Sequence, residues 1–426
     1  MVGTGHTDSS AFDVVLVPLD VTYKVVFVPT SPHIGPQLAR LRRRRALTQD
    51  ELAASAVVSV DVVRRLEQGK RTSARLSTLD SLARALGCTT ADLLALDQKE
   101  GASGGGPRVE EIRHALTTPE VLGLIEPVEE EPVCLEELRG QMQRVWALYQ
   151  DGFYAQVVLR LPEVLAQARL LGRESVGDEQ VEAEGLLATA YQAAAGVTIT
   201  LGHPDLSFLA VERALNAARF SGSELHHASA VNFLSWVYRR SGRLSDAEHV
   251  ATRAAEAIEP PWSGANSSHL AVFGSLLVNA AGAAARTKHV NRCRDLTSIA
   301  RSAAERVGSD HVDRWAVFGP GVVAMTAVND AVELDDLDTA RRLIDQVPTV
   351  EGVPSSWRAR YLLNVALTHT RHRNYQQAIE ALAEAHRVAS EWARYHPQSR
   401  VTAQILLERG YGRKAPNLVD IAQHDA

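Results

Sequence analysis

The side chains most able to bind a metal or act in catalysis are few in this 426-residue chain. The chain contains three cysteines, Cys88, Cys134 and Cys293. They form no CxxC pair and have no histidine at zinc-ligand spacing, so neither a zinc site nor a disulfide framework is expected. His226 and His227 are adjacent and point to different faces of a helix. His369 and His372 share a helix face but lack an evident third ligand, so no metal is expected.

The usual catalytic and cofactor-binding motifs are also absent from the sequence. The chain contains no GxxxxGKS/T phosphate loop, no HExxH, no GxSxG and no GxGxxG after a strand. We therefore expect a protein without enzymatic activity and without a cofactor. There is no run of 18 apolar residues, and the first residues lack the features of a secretory signal. These observations favour a cytoplasmic protein with no membrane segment.

Charge is unevenly distributed along the chain. The formal net charge is -6, yet residues 34–97 carry 11 Lys and Arg against 7 Asp and Glu. A basic segment within an acidic chain often marks the part that contacts nucleic acid.

Composition divides the chain into four segments. Residues 1–33 are rich in valine and are expected to form either a short hairpin or a poorly ordered extension. Residues 34–97 form the first domain. Residues 98–136 are predicted to be a linker, because they contain a glycine-rich stretch and an acidic, proline-containing run, with one short helix over 109–116. Residues 137–426 are predicted to be helical almost throughout.

Helix-start and helix-stop signals divide residues 34–97 into five short helices, which predicts a compact all-α domain. Thr48 is followed three residues later by Glu51, a capping box that starts a helix at Gln49. Ser59 is the expected N-cap of the next helix, which Gly69 ends.

These residues carry a specific resemblance. The segments LTQDELA (47–53), Val58-Ser59, LEQG (66–69) and 79–87 are similar to the helix-turn-helix of the phage-repressor-like, or XRE, family. In that family the third helix lies in the DNA major groove. The resemblance implies a set of DNA-contacting residues: Gln49, Ser59, Val60, Asp61, Arg64, Arg65, Lys70 and Arg71.

Within this set the resemblance places Gln49 at a phosphate and the first turns of the third helix at base edges. Arg64 can pair with guanine, Asp61 can accept from cytosine and Val60 can touch a thymine methyl. The alternative is that Arg64 and Arg65 contact only phosphates, as we expect of the run from 42 to 45. Val57 stands where the family usually has glycine, so we expect the turn to follow a different local path.

The region from 138 to about 411 contains helix pairs at intervals of about 35 to 50 residues, the period of α-solenoids. Two units match the small-residue and aromatic offsets of a tetratricopeptide repeat, one around Tyr238 and Ala247 and one around Ala366 and Tyr375. We count six units, closed by a terminal helix over 399–409. The predicted fold class is therefore all-α, a five-helix helix-turn-helix domain followed by a tetratricopeptide-like α-solenoid.

The first helix of each pair should line the inner surface of such a solenoid. Aligning the units places seven residues on that surface: Asn232, Asn279, Asn329, Asn364, Arg239, Arg286 and Arg371. The amides can hold a peptide backbone, and Arg239, Arg286 and Arg371, with Arg240 beside them, can receive carboxylates. The alternative is that the asparagines bond neighbouring helices and the arginines are surface charges.

The combination resembles cytoplasmic regulators of Gram-positive bacteria that sense a signalling peptide, and related regulators in high-GC bacteria. That resemblance implies binding to double-stranded DNA as a homodimer, with a signalling peptide or partner protein in the repeat groove. A protein-interaction scaffold with secondary DNA binding is the alternative function.

Overall fold

The computed structural model describes residues 27–29, 34–45, 47–70, 73–86, 109–118, 133–261, 264–312, 316–348, 350, 352–413, 415 and 417–423. Two compact units divide the chain, residues 1–94 and residues 95–426. Each unit has its own apolar core. The all-α fold class is confirmed, since strands account for only a few of the described residues.

The first unit contains four described helices and two short strands. They are β1 (Phe27–Pro29), α1 (Ile34–Arg44), α2 (Gln49–Ala56), α3 (Val60–Glu67), β2 (Ser73–Arg75) and α4 (Leu76–Ala85). Strand β1 pairs antiparallel with β2, with Phe27 opposite Arg75. Residues 27–29 of the valine-rich extension therefore supply a strand to the domain. The hairpin and the poorly ordered extension predicted for residues 1–33 otherwise lie outside the described residues. The predicted fifth helix, from 90, lies outside the described residues.

Local signals fix the two central helices of this unit. The Thr48 hydroxyl accepts from the Glu51 amide at 3.2 Å, and the Glu51 carboxylate accepts from the Thr48 amide at 2.7 Å. The predicted capping box is thus present. Ser59 caps α3 by accepting from the amide of Val62. The leucines of four helices then meet in a core that includes Leu38, Leu52 and Leu66.

The second unit is an array of helix pairs. Its helices are α5 (Val109–Thr117), α6 (Leu135–Asp151), α7 (Tyr154–Glu174), α8 (Asp178–Thr200), α9 (Pro204–Phe220), α10 (Glu224–Arg240), α11 (Leu244–Ala257), α12 (Ser267–Arg286), α13 (Val290–Val307), α14 (Pro320–Glu333), α15 (Leu337–Ile344), α16 (Ser355–Arg371), α17 (Tyr375–Val388), α18 (Ser390–Tyr395), α19 (Pro397–Glu408) and α20 (Asn417–Gln423). A two-residue strand pair, β3 (His311–Val312) and β4 (Val317–Phe318), connects α13 to α14.

Six antiparallel pairs, α6–α7 through α16–α17, agree with the six predicted units. The turn inside each pair has one residue in the left-handed conformation: Gly152, Gly202, Gly242, Lys288, Asp335 and Arg373. The same backbone device therefore recurs in all six described pairs. Only three of the six turns use glycine, the residue that adopts this conformation without steric cost.

The first and last pairs are in contact, and this closes the array. The amide of Ser355 donates to Asp151 at 3.2 Å, and the Ser356 hydroxyl donates to the carbonyl of Gln150. The Glu391 carboxylate accepts from the amide of Ala155 at 2.7 Å. We call this contact between the 150–155 turn and residues 355–356 and 391–392 the seam.

Helix α5 corrects the predicted linker. Its side chains Ile112 and Leu116 are fully buried in the core of the second unit. Arg169 donates to the carbonyl of Ala115 at 3.2 Å. The helical stretch predicted within the linker is therefore part of the repeat unit, since an apolar helix face must pack against a core.

Helix α12 is long and apolar enough to span a membrane by length and composition alone. Of its most apolar window, however, 83% is buried inside the second unit. Its length and apolarity fit the central position that it holds between α11 and α13.

Candidate functional site

Helix α3 presents one polar face to solvent. Val63 and Leu66 are fully buried beneath it, whereas Asp61, Arg64 and Arg65 are exposed. The spacing of these three residues places them on one side of the helix. An exposed face with two arginines and a carboxylate has the donors and acceptors needed to contact base edges and phosphates.

An ion pair inside the first unit holds the other side of α3. Arg42 on α1 contacts Glu67 with both ends of its guanidinium, Nε to Oε1 at 2.7 Å and Nη2 to Oε2 at 2.9 Å. The two side chains are 12% and 7% exposed. Burial raises the pKa of Glu67, but the hydrogen bonds and charge of Arg42, with a bond from Gln49, outweigh it, so that its pKa is lowered overall. The phosphate role predicted for Arg42 is therefore incorrect, because this guanidinium is used inside the fold.

The remaining residues predicted to contact DNA occupy varied surroundings. Gln49 donates from Nε2 to Glu67 at 2.7 Å, and Arg65 pairs with Asp61 at 2.9 Å. Ser59 and Lys70 are exposed, and Val60 is partly buried. Arg71 lies outside the described residues. An exposed pair such as Asp61–Arg65 contributes little stability and exchanges partners readily.

The turn before α3 differs from its prediction. Val57 has φ 54° and ψ 44°, the left-handed conformation, and its side chain is 91% exposed. The turn thus keeps the path that glycine would favour, and the expectation of a different path is wrong. The backbone hydrogen bonds of the α2 C-terminus, from Val57 and Val58 to Ala54 and Ala53, hold that path.

In the second unit the predicted asparagines are paired with one another. Asn279 donates to Asn232 at 2.6 Å, and Asn364 donates to Asn329 at 3.3 Å. Each pair joins the first helices of two neighbouring units. This is the helix-bonding arrangement that stood as the alternative to a ligand ladder, and it uses part of the hydrogen-bonding capacity of each amide.

The three predicted arginines do not form one group. Arg239 is 6% exposed, and its guanidinium lies against Gly282 of α12. Arg286 is exposed and donates to the backbone carbonyl of Arg239 at 2.6 Å. Arg371 is exposed and pairs with Asp335 at 3.2 Å.

Two further arginines join Arg239 in the interior. Arg240 follows Arg239 directly in the sequence. Arg360, which the sequence pattern does not single out, stands one helical turn before Asn364. Burial, together with the positive charge of Arg360, lowers the pKa of Arg239 to about 9 and the pKa of Arg240 to about 10. Burial likewise raises the pKa of Asp330 to about 6. Burial also holds the pKa of His396 well below its usual value, and the charges of Arg240 and Arg360 add to this effect.

Aromatic rings line a neighbouring part of the same interior. Trp146 of α6 packs against Phe233 of α10 with ring centroids 5.9 Å apart, and Phe233 meets Trp236 edge-on at 6.1 Å. Tyr149 lies 5.3 Å from Trp146. The charge of Arg240 acts on Tyr149, which places this aromatic group beside the arginines.

Two of the histidines considered for metal binding have other partners. His372 lies 3.2 Å from the carbonyl of Leu337, and His226 lies 3.4 Å from the Ser221 hydroxyl. Among the described residues, no three His, Cys, Asp or Glu side chains come together in a way that could hold a metal ion.

The family match found by comparison with known proteins lies in the first unit. Residues 33–96 match the model of a helix-turn-helix domain family. This segment is therefore a helix-turn-helix domain. No curated protein matches the chain.

Several solved structures share the helical character of the chain at low similarity. PlcR of Bacillus thuringiensis, in complex with the peptide PapR7 and DNA, is 14% identical over 74% of this chain and 95% of its own, with a TM-score of 0.34. ComR of S. thermophilus, in complex with DNA and its signalling peptide ComS, is 13% identical over 92% and 99%, with a TM-score of 0.24. A Rap protein complexed with Competence and Sporulation Factor is 11% identical over 68% and 87%, with a TM-score of 0.42.

Proposed function

We propose that this protein is a transcription regulator that reads a DNA sequence with α3 and binds a ligand in its repeat unit. The observation that carries the proposal is the exposed face of Asp61, Arg64 and Arg65 within a segment that matches a helix-turn-helix family. A helix-turn-helix domain acts by placing such a face in the major groove.

The surroundings of each side chain on this face indicate which part of the DNA it contacts. Arg64 is exposed and has no ion pair or hydrogen bond with a described residue, so its guanidinium is free to bond O6 and N7 of guanine. Asp61 and Arg65 exchange their mutual pair for a cytosine amino group and a phosphate. Val60 contacts a thymine methyl, while Gln49, Ser59, Lys70 and Arg71 contact the backbone.

The regulator acts in the cytoplasm as a homodimer, because one α3 reads only a half-site. Ligand binding in the repeat unit changes the affinity for the operator. The regulator needs neither a catalytic step nor a cofactor for this role.

Recovery of genomic DNA fragments by the purified full chain at moderate salt tests the proposal. The wild-type protein should enrich a two-fold symmetric motif. Arg64→Ala should relax that motif at one position of each half-site, with a loss of about 1–3 kcal/mol in binding to the best site. Arg301→Ala is the matched control, since Arg301 is an exposed arginine of α13.

Sequence-independent binding that disappears with salt, and is unchanged by Arg64→Ala, would contradict the proposal. The scaffold function would then explain the repeat unit better. A stable complex with a partner protein during purification would support that function.

A further inference from the structure

Three interior guanidinium groups have no counter-ion in direct contact. Arg239, Arg240 and Arg360 form no ion pair within 4.0 Å and no side-chain hydrogen bond with any described residue. An enclosed charge without a partner costs several kcal/mol, so such groups are normally paired with an opposite charge. Three of them in one region therefore need an explanation.

The carboxylates of this region do not balance the charge. Asp330 and Glu333 act electrostatically on Arg239 and Arg360, but Arg286 adds a fourth positive charge at the edge of the group. Asp330 is already used in a bond from Asn329 at 3.2 Å. Among the described residues of this region, four cations face two carboxylates, which leaves an excess of two positive charges.

The arginines face an accessible interior rather than solid core. Burial lowers the pKa of Arg240 and of Arg360, yet both side chains keep part of their surface accessible. Partly accessible arginines inside the array are able to contact a ligand that enters it. The seam joins the first and sixth pairs of the same array.

We propose that the interior of the closed repeat array binds a compact organic anion carrying at least two negative charges, as phosphate or carboxylate groups, through Arg239, Arg240 and Arg360. Guanidinium groups make charge-assisted, often bidentate bonds with both kinds of group. The aromatic group of Trp146, Tyr149, Phe233 and Trp236 supplies an apolar wall for the rest of the ligand. This inference deepens the ligand-binding part of the proposed function and rests on it.

A compact anion fits better than an extended acidic peptide. The asparagines that would hold a peptide backbone bond with each other instead. Arg371, which would extend the row of arginines along the array, is paired with Asp335. The unpaired positive charge is thus concentrated in one place.

Binding is tested on the full chain by titration calorimetry and by thermal unfolding, without DNA. The probes are inorganic pyrophosphate and citrate, each at constant ionic strength set with sodium chloride, so that the two arms separate phosphate from carboxylate. At least one probe should bind saturably and raise the unfolding midpoint. Acetate, with one charge, should bind at least tenfold more weakly.

Two variants separate the binding role from a structural one. Arg360→Gln should weaken binding at least tenfold and should leave the unfolding midpoint of the anion-free protein unchanged or higher, because it removes an unpaired enclosed charge. Arg371→Gln removes a paired arginine from the equivalent face and should leave binding unchanged. A role for Arg360 in packing alone would lower the midpoint and leave anion binding intact.

No saturable binding of either probe, or equal binding by Arg360→Gln, would overturn the proposal. Binding of a ten-residue glutamate peptide when both small anions fail would also overturn it in favour of an acidic peptide. Because this experiment contains no DNA, its failure leaves the DNA-reading test of the proposed function unaffected.

Discussion

At the scale of single residues, Val57 is the most unusual position of the helix-turn-helix domain. The left-handed conformation costs a non-glycine residue about 1–2 kcal/mol, and a β-branched side chain gains nothing here because Val57 is almost fully exposed. The surrounding hydrogen bonds of the α2 C-terminus impose the conformation, and the domain loses stability as a result.

Replacing Val57 by glycine should stabilise the domain by about 1 kcal/mol, because glycine adopts this conformation without strain. All six tryptophans lie in the second unit, so fluorescence would not report the change. Hydrogen exchange of the α2 and α3 amides in the full chain is the suitable measurement. Val57→Ala, which keeps a Cβ atom, should give a smaller gain, and faster exchange in Val57→Gly would refute the argument.

Arg42 and Arg64 illustrate what a sequence can say about a side chain. Both lie in basic stretches of the same domain, yet one is committed to Glu67 and the other is exposed. The sequence was enough to predict the domain and the helix that carries Arg64. Only the packing of α1 against α3 decided that Arg42 belongs to the fold.

At the scale of helices and strands, a glycine on α12 allows β4 to pack closely against that helix. Gly274 on α12 lies directly under the ring of Phe318 on β4, and Phe318 is fully buried. A Cβ atom at Gly274 would overlap that ring. The short strand pair between α13 and α14 is thus fixed to α12 by one aromatic side chain.

Gly274→Ala should lower the free energy of unfolding of the second unit by about 1–3 kcal/mol through overpacking. Gly140→Ala is the matched control, because it is also inside a helix and its nearest neighbour is the flexible end of Arg144 at 3.6 Å. That change should be neutral or stabilising by up to about 1 kcal/mol. Denaturant unfolding followed by tryptophan fluorescence measures both, and equal effects would contradict the packing argument.

The six turns share one backbone conformation although their local sequences differ. Units with Gly152 or Gly242 carry a visible signal, whereas Lys288 and Asp335 adopt the same left-handed conformation without one. Arg373 also adopts this conformation, in one of the two units that match the repeat pattern best. The tertiary packing of each pair imposes the turn whether or not the local sequence favours it.

At the scale of the whole second unit, the seam converts an open array into a closed one. The partners at the seam are about 200 residues apart in sequence. Gly152 is central to it, since a Cβ atom there would lie 2.7 Å from Cβ of Trp392.

Gly152→Ala should therefore destabilise the second unit more than Gly242→Ala. Both glycines have a left-handed conformation, but nothing lies within 4 Å of a Cβ atom at Gly242. The left-handed backbone costs alanine about 1 kcal/mol at both positions. The additional loss in free energy of unfolding at position 152, about 1–3 kcal/mol, therefore measures the contact at the seam. Thermal unfolding measures the difference, and equal losses would mean that the seam contributes no stability.

The sequence by itself determined the parts of this protein that depend on local periodicity and capping. Thr48 with Glu51, Ser59 and the spacing of apolar residues were enough to predict the central helices of the helix-turn-helix domain and the six helix pairs, because these signals act within a few residues. The DNA-contacting residues are implied by the resemblance of that domain to a known helix-turn-helix family, and they stay a prediction.

Only the tertiary structure decided which side chains meet across long separations. The pairing of Asn232 with Asn279, the seam at Asp151 and Ser355, and the gathering of Arg239, Arg240 and Arg360 all depend on the curvature of the stacked pairs. Small rotations between neighbouring units accumulate along the array, and no local pattern encodes their sum.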